Sequence, residues 1–516
     1  MRAEADAAGR GPLDADAKET IARLRRVFEA HGYTAAAVRQ ALGVEIGTSH
    51  LRRDLPLYVR RLAAPTPLHT LVKLFTLDQC VNEVEARGSF DPLELAELAA
   101  LGLIDCGPRG VRALVGLCEY DGLLLAHDRF DEEAPGRRAD HVLRVNPPAV
   151  TLASLTVRRR VRSTLDLGAG GGVQALLAAR HSDRVIAVDK NPRALSFTRF
   201  NARLNGVLNV ECREGDLFDP VAGCRFDLIV CNPPYVISPD SRYVFQDSGR
   251  PGDAICEDVV RRAPAHLEEG GFASILCNWA LGAQEEWSAP LRRWVEGAGC
   301  DAWLLHSDTQ DPLTYAALWN LDRDPSAYGD ALDRWLAHYH ELGVEAIAMG
   351  AVILRRREAG PNWVRADEIP GKLVDSCHEH ILRVFELKDH LLGLGDEELL
   401  EQAFKLVSDH RLRQTLALRE GDYVVEEAEL ELSGGLRFRG MVDPYTLHLL
   451  RRCDGQHALS DVVAEMASRG GADRDQLASA VAGVVRRLVS LGFLVPTEGR
   501  TVLASSPARG GAEGEA

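Results

Sequence analysis

Three groups of residues near the middle of this 516-residue chain have the types and spacing to hold a ribonucleoside. The first is Asp166-Leu-Gly168-Ala-Gly170-Gly-Gly172, where β-favouring residues run into a glycine-rich turn and then the helical Val173-Gln-Ala-Leu-Leu-Ala-Ala-Arg180. Glycines here let the backbone pass close to a ligand and leave helix amide donors free to meet it. The second is Arg184-Val-Ile-Ala-Val-Asp189, about 20 residues on, a strand ending in a carboxylate placed for ribose hydroxyls. The third ends on Asp216-Leu217-Phe218, an acidic acceptor for an adenine amine beside an apolar edge for its ring. Asp166 stands two residues before the first glycine, where it repels a diphosphate but attracts the ammonium of a methionine moiety, directly or through water.

A fourth strand, Phe226-Asp-Leu-Ile-Val-Cys231, ends directly in Asn232-Pro-Pro-Tyr235. This ordered set, over roughly residues 150 to 357, resembles a class I S-adenosylmethionine (SAM) methyltransferase, and the tetrapeptide resembles its N-methylating branch. Release-factor glutamine methyltransferases and adenine-amine methyltransferases carry this tetrapeptide; small-domain ribosomal RNA methyltransferases carry a close variant. The resemblance implies SAM held by Asp166, Gly168, Gly170, Asp189, Asp216, Leu217 and Asn232, and catalysis by Asn232, Pro233 and Tyr235. The methyl acceptor is then a planar amino nitrogen. A protein glutamine amide is the first expectation, and an exocyclic amine of adenine or guanine in RNA or DNA the alternative.

The tetrapeptide suits that chemistry. The lone pair of a planar NH2 group is delocalised, so a site must accept the amine's hydrogens to make nitrogen pyramidal. The Asn232 side-chain carbonyl and the Pro233 backbone carbonyl are suitable acceptors, and Tyr235 offers a face for a flat amide or base. Rate then comes from positioning and electrostatics without a strong general base.

The elements that position these residues read as an α/β, Rossmann-like domain over 150–357 with seven strands, the last two (Ala302–His306 and Ala346–Leu354) antiparallel and separated by an inserted helix over Pro325–Leu342. Residues 16–149 read as a helical, winged-helix-like module, with helix starts at Asp16, Thr34, Thr66-Pro67 and Asp91-Pro92. A helical linker is expected over 358–419 and a second winged-helix-like module over 420–504, whose wing includes Thr501–Ala504. Residues 1–15 and 505–516 read as disordered tails.

Composition narrows the setting. With 46% hydrophobic and 26% charged residues the chain is globular, and a net charge of -16 excludes a generic polyanion binder. The absence of a long apolar run or a basic-then-apolar leader gives the expectation of a cytoplasmic protein without a membrane span. Abundant arginine, alanine and glycine with scarce lysine suggest a GC-rich bacterial source. The 11 cysteines, Cys118, Cys212, Cys231 and Cys277 among them, read as reduced buried hydrophobes. Several lesser features stay open. Arg158–Arg162 reads as a solvated face or a phosphate contact, Cys377-His378-Glu-His380 as ordinary structure or a metal site, and Trp279 as core or pocket wall. Asn146-Pro-Pro-Ala149 lacks the aromatic and reads as a turn.

Overall fold

The computed structural model describes residues 13–44, 54–129, 138–371, 373, 375–470 and 473–497. They form two compact units divided between Glu368 and Ile369. The expected tails 1–15 and 505–516 lie outside the described residues except for Leu13, Asp14 and Ala15. Leu13 is buried, and the Asp14 amide donates to Leu101 O. The wing strand expected at Thr501–Ala504 also lies outside them.

The first unit is built on one sheet. Its strands in chain order are β1 (Val161–Leu167), β2 (Ser182–Asp189), β3 (Val210–Glu214), β4 (Phe226–Cys231), β5 (Leu267–Leu281), β6 (Cys300–Gln310), β7 (Ala346–Arg356) and β8 (Val364–Glu368). Their spatial order is β3-β2-β1-β4-β5-β7-β6-β8, parallel except for β7, which runs antiparallel to both neighbours. Strand β4 is almost wholly buried and accordingly apolar, as a strand covered on both faces must be. The expected seven strands are present, but the sheet does not end at Arg357. Val364–Glu368 adds an eighth at the edge, pairing in parallel with β6. Its charged sequence, Val-Arg-Ala-Asp-Glu, is what an exposed edge tolerates, and a short run with a single large apolar side chain gives little sign of a strand.

Before the sheet, helices Lys18–Ala30, Ala35–Leu42 and Pro67–Phe75 start where expected, with Thr34 and Thr66 hydroxyls accepting from the Ala37 and His69 amides. Two ribbons follow, Ile104–Gly107 with Gly110–Ala113 and Gly116–Tyr120 with Leu123–His127. This region shares its core with the sheet domain: Ala194, Phe197, Phe200 and Leu204, on helix Pro192–Leu204, belong to the same apolar cluster as Phe28, Leu71 and Phe90. The same helix binds the second ribbon by side chains. Asn205 exchanges hydrogen bonds with the Leu124 backbone and Asn201 with that of Ala126, as a neighbouring strand would. Asn146-Pro-Pro-Ala149 is a helix start, a correction to the turn: Asn146 Oδ1 accepts from the Ala149 amide at the head of Pro147–Leu155.

In the second unit the stretch expected as a helical linker is helical only over His378–Leu391 and Asp396–Leu400. Ala403–Leu406 is a strand between Asp454–Ala458 and Leu494–Pro496, and His410–Arg419 forms a long ribbon with Asp422–Leu432. Leu412 and Leu416 lie four residues apart, a spacing that fits a helix face and one face of a strand equally well. His380 is structural: its Nδ1 accepts from the Leu436 amide and its Nε2 donates to Leu491 O. Among the described residues no group of histidine, cysteine and carboxylate side chains could hold a metal, Cys377 and His378 included. The cysteines are not uniformly buried either, since Cys80 and Cys106 are exposed and Cys118 and Cys212 half-buried.

Candidate active site

Sheet register brings the predicted residues together. Leu167 of β1 lies opposite Val188 of β2 and Cys231 of β4, so the next residues, Gly168, Asp189 and Asn232, leave three adjacent strands at one level. A side chain at Gly168 would sit 3.5 Å from the Asn232 carbonyl oxygen, and its φ of 73° already disfavours any other residue. These strand ends border a cavity of about 250 Å³ lined by Gly168, Gly170, Asp189, Asp216, Leu217 and Asn232. A crevice outside the carboxyl ends of parallel strands is where such sheets bind ligands.

Asp189 is fixed by two amides, Gly170 and Asn191, each donating to one of its oxygens at 2.8 Å. Burial pushes its carboxyl up from the ordinary range. Each oxygen keeps a lone pair for a hydroxyl. Asp216 is exposed and lies 3.4 Å from Arg250, which is held more closely by Asp258 at 2.9 Å. Asn232 Oδ1 is buried with no hydrogen-bond partner. An unsatisfied buried acceptor costs roughly 1–3 kcal/mol, so its place on a cavity wall calls for a donor from a ligand.

Three predicted site residues stand apart from the cavity wall. Asp166 is buried beneath the glycine loop, accepts the Ala175 amide at 2.8 Å, and is pushed up to about 7 by burial. Pro233 is buried, and its neighbour Pro234 lines the cavity instead. Tyr235 packs on the apolar cluster that includes Trp335 and Tyr339 of the inserted helix Pro325–Leu342, and bridges to Asp247. The loop amides are likewise less free than expected. Gly168 and Ala169 donate to Val188 O, Gly172 to Ala169 O and Gly170 to Asp189.

Other wall residues were not legible. His127, His141 and Arg144 come from the region read as a separate module, and Phe245 from the loop after Tyr235. No local pattern marks them; only the shared core brings that region here. His127 donates through Nδ1 to Asp128 O, and burial lowers it to about 4, so it is neutral. Phe245 stacks on Tyr243 with centroids 5.2 Å apart. Trp279 is core: it is fully buried and donates to Trp287 O. The Arg158–Arg162 run is a solvated face: Arg160 and Arg162 are largely exposed beside Asp183 and Asp227, and Arg158 and Arg159 donate to the Ala153 and Gly270 carbonyls.

Residues 148–296 match the methyltransferase small domain family. The central domain is of the class I SAM-dependent methyltransferase type. The flanks match two domains of unknown function, DUF7059 over residues 30–114 and DUF7782 over 383–496. A release factor glutamine methyltransferase of Xylella fastidiosa is 36% identical over 134 residues, which are 24% of this chain and 49% of that protein. The Escherichia coli protein of the same name is 33% identical over 133 residues, 23% of this chain and 47% of its own. A ribosomal protein uL3 glutamine methyltransferase of Bradyrhizobium diazoefficiens is 34% identical over 164 residues, 29% and 48% of the two chains. The chain thus spans about half the length of these relatives. SAM is the methyl donor that the domain implies, and the residues present fit it. Asp189 has acceptors to spare for hydroxyls.

Proposed function

We propose that this protein methylates the side-chain amide of a glutamine in a protein substrate. The observation that carries the reading is the buried, unpartnered Asn232 Oδ1 on the cavity wall. It accepts one hydrogen of the incoming NH2 group, making the nitrogen lone pair available. The bound cofactor supplies an electrophilic sulfonium methyl. Asp189 and Asp216 would hold the nucleoside end, with Leu217 as an apolar wall for its ring and Gly168 and Gly170 leaving room at the strand ends. Asp166, lying underneath, positions the loop. With Tyr235 turned to the core, Phe245 is the aromatic at the wall that offers a flat amide its face. The glutamine methyltransferase names of the relatives support this choice of substrate.

Nucleic acid is the competing substrate, and the flanking helix-and-ribbon modules, which we take as winged-helix-like, keep it in view. The net charge of -16 favours protein. Among the described residues no helix is long and apolar enough to cross a membrane. Incubating the protein with methyl-labelled SAM and a cell lysate, then digesting with protease or nuclease, tests the reading. Label released by protease and found as methylglutamine supports it. Nuclease-sensitive label, with binding that weakens by orders of magnitude between low and moderate salt, would establish the nucleic-acid substrate instead.

A further inference from the structure

A strap from the N-terminal region crosses the cavity from one end to the other. At the first end Asn191, two residues from Asp189, donates its side-chain amide to Asp140 O at 2.9 Å. Midway the Asp128 carboxylate, itself paired with Arg193, accepts the Val142 amide at 2.8 Å. A side chain at Gly171 would stand 3.8 Å from Val142, so the strap passes the glycine loop there. At the far end Asn146 caps Ala149, whose carbonyl accepts from Gln174 beyond the loop at 2.7 Å. Arg144 lies between Val142 and Asn146 and lines the cavity. Its guanidinium is near enough to the Cys118 thiol and the His127 imidazole to bear on both.

With the nucleoside held by Asp189, Asp216 and Leu217, the glycine loop and the strap would be left to receive the amino-acid tail of SAM. That tail carries a carboxylate, and the loop offers it no cationic side chain. The amides of Gly168, Ala169, Gly170 and Gly172 are spent within the protein, and the nearest side chains of the loop and β2 are the carboxylic acids Asp166 and Asp189. Of the cations on the wall, Arg250 is tied to Asp258, and Lys190 follows Asp189 at the nucleoside end. Among the described residues Arg144 has no hydrogen-bond or ion-pair partner.

We propose that Arg144 binds the α-carboxylate of the cofactor's methionine moiety, so that a residue outside the Rossmann-like core completes the cofactor site. This rests on the SAM reading above. A guanidinium suits the role because it pairs with a carboxylate through two parallel hydrogen bonds, which a lysine cannot do.

The test is a cycle of titration calorimetry on the full chain, using SAM and its decarboxylated analogue with wild type, Arg144→Gln and Arg144→Lys. Wild type should bind SAM about 10- to 100-fold more tightly than the analogue, the size of a charge-assisted pair. Arg144→Gln should lose that factor on SAM, bind the analogue as wild type does, and so bring the ratio near one; Arg144→Lys should fall between. Equal melting temperatures of the free proteins would show that the substitutions leave the fold intact. A wild-type ratio near one, or a ratio unchanged in Arg144→Gln, overturns the proposal while the cofactor reading stands. Binding of neither ligand by wild type overturns the cofactor reading and the proposal with it.

Discussion

Asn232, just after β4, and Asp166, within β1, divide labour between chemistry and support. Asn232 Oδ1 is left without a partner at the cavity, so its contribution should appear only when an amine arrives. Asn232→Ala is expected to keep SAM affinity within a few fold while lowering kcat by about 100-fold or more, the usual size of a lost polar contact to a transition state. Single-turnover kinetics beside calorimetry would separate the two effects, and unchanged turnover would return Asn232 to a structural role. Asp166 acts on stability. Burial raises its folded pKa from 3.8 to about 7, so the fold prefers its protonated form. That contribution is complete below the unfolded value and is lost as pH rises through about 7, a loss of a few kcal/mol by linkage. Asp166→Asn keeps an oxygen for the Ala175 amide and carries no charge. Urea denaturation at pH 5.5 and pH 8 should therefore give a flatter pH dependence in the variant, with a gain in relative stability at pH 8.

Among elements, helix Pro192–Leu204 binds most of the pieces together. One face packs into the N-terminal core, while Asn201 reaches both the ribbon strand Leu123–His127 and the glycine loop, donating to Ala126 O and Gly171 O and accepting from the Ala126 amide. Asn201→Ala leaves those three backbone groups buried without that partner. A loss of about 2–5 kcal/mol in unfolding free energy is expected, together with weaker SAM binding because Gly171 borders the cavity. A variant that unfolds at the wild-type urea midpoint would show that the ribbon is held by apolar packing alone. The ribbon's own sequence, Leu123-Leu-Leu-Ala-His127, is apolar up to its last residue, a short run that reads as a ribbon strand. Its strand conformation depends on the hairpin partner Gly116–Tyr120 and on two asparagines far along the chain.

For the whole molecule, the N-terminal region and the sheet domain share a core, so neither should survive the other's removal. Without residues 1–127, Phe197, Phe200 and Leu204 lose their cover, each exposure costing about 1.5–3 kcal/mol. A fragment over residues 138–368 is expected to be insoluble or to lack a cooperative thermal transition, although it contains the whole methyltransferase small domain match. A fragment that melts cooperatively and binds SAM as the full chain does would show that the shared core is dispensable.

The sequence by itself determined the parallel strands, their order of chemistry and the loop residues at their ends. Glycines at 168, 170 and 172, the acids at 189 and 216 and Asn232-Pro-Pro-Tyr235 are local signals, set by backbone sterics and by the residue types a nucleoside and an amine require. Only the tertiary structure decided which of these reach the ligand. Asp166, Pro233 and Tyr235 belong to the same motifs, yet register, the Ala175 amide and the inserted helix turn them away from the cavity. Arg144, His127 and Phe245 have no motif and reach the wall through strap, ribbon and loop. Strand β8 and the His410–Arg419 ribbon were hidden for a related reason: their pairing partners lie elsewhere in the chain, and a short polar or four-spaced pattern fits several conformations until a neighbour's hydrogen bonds select one.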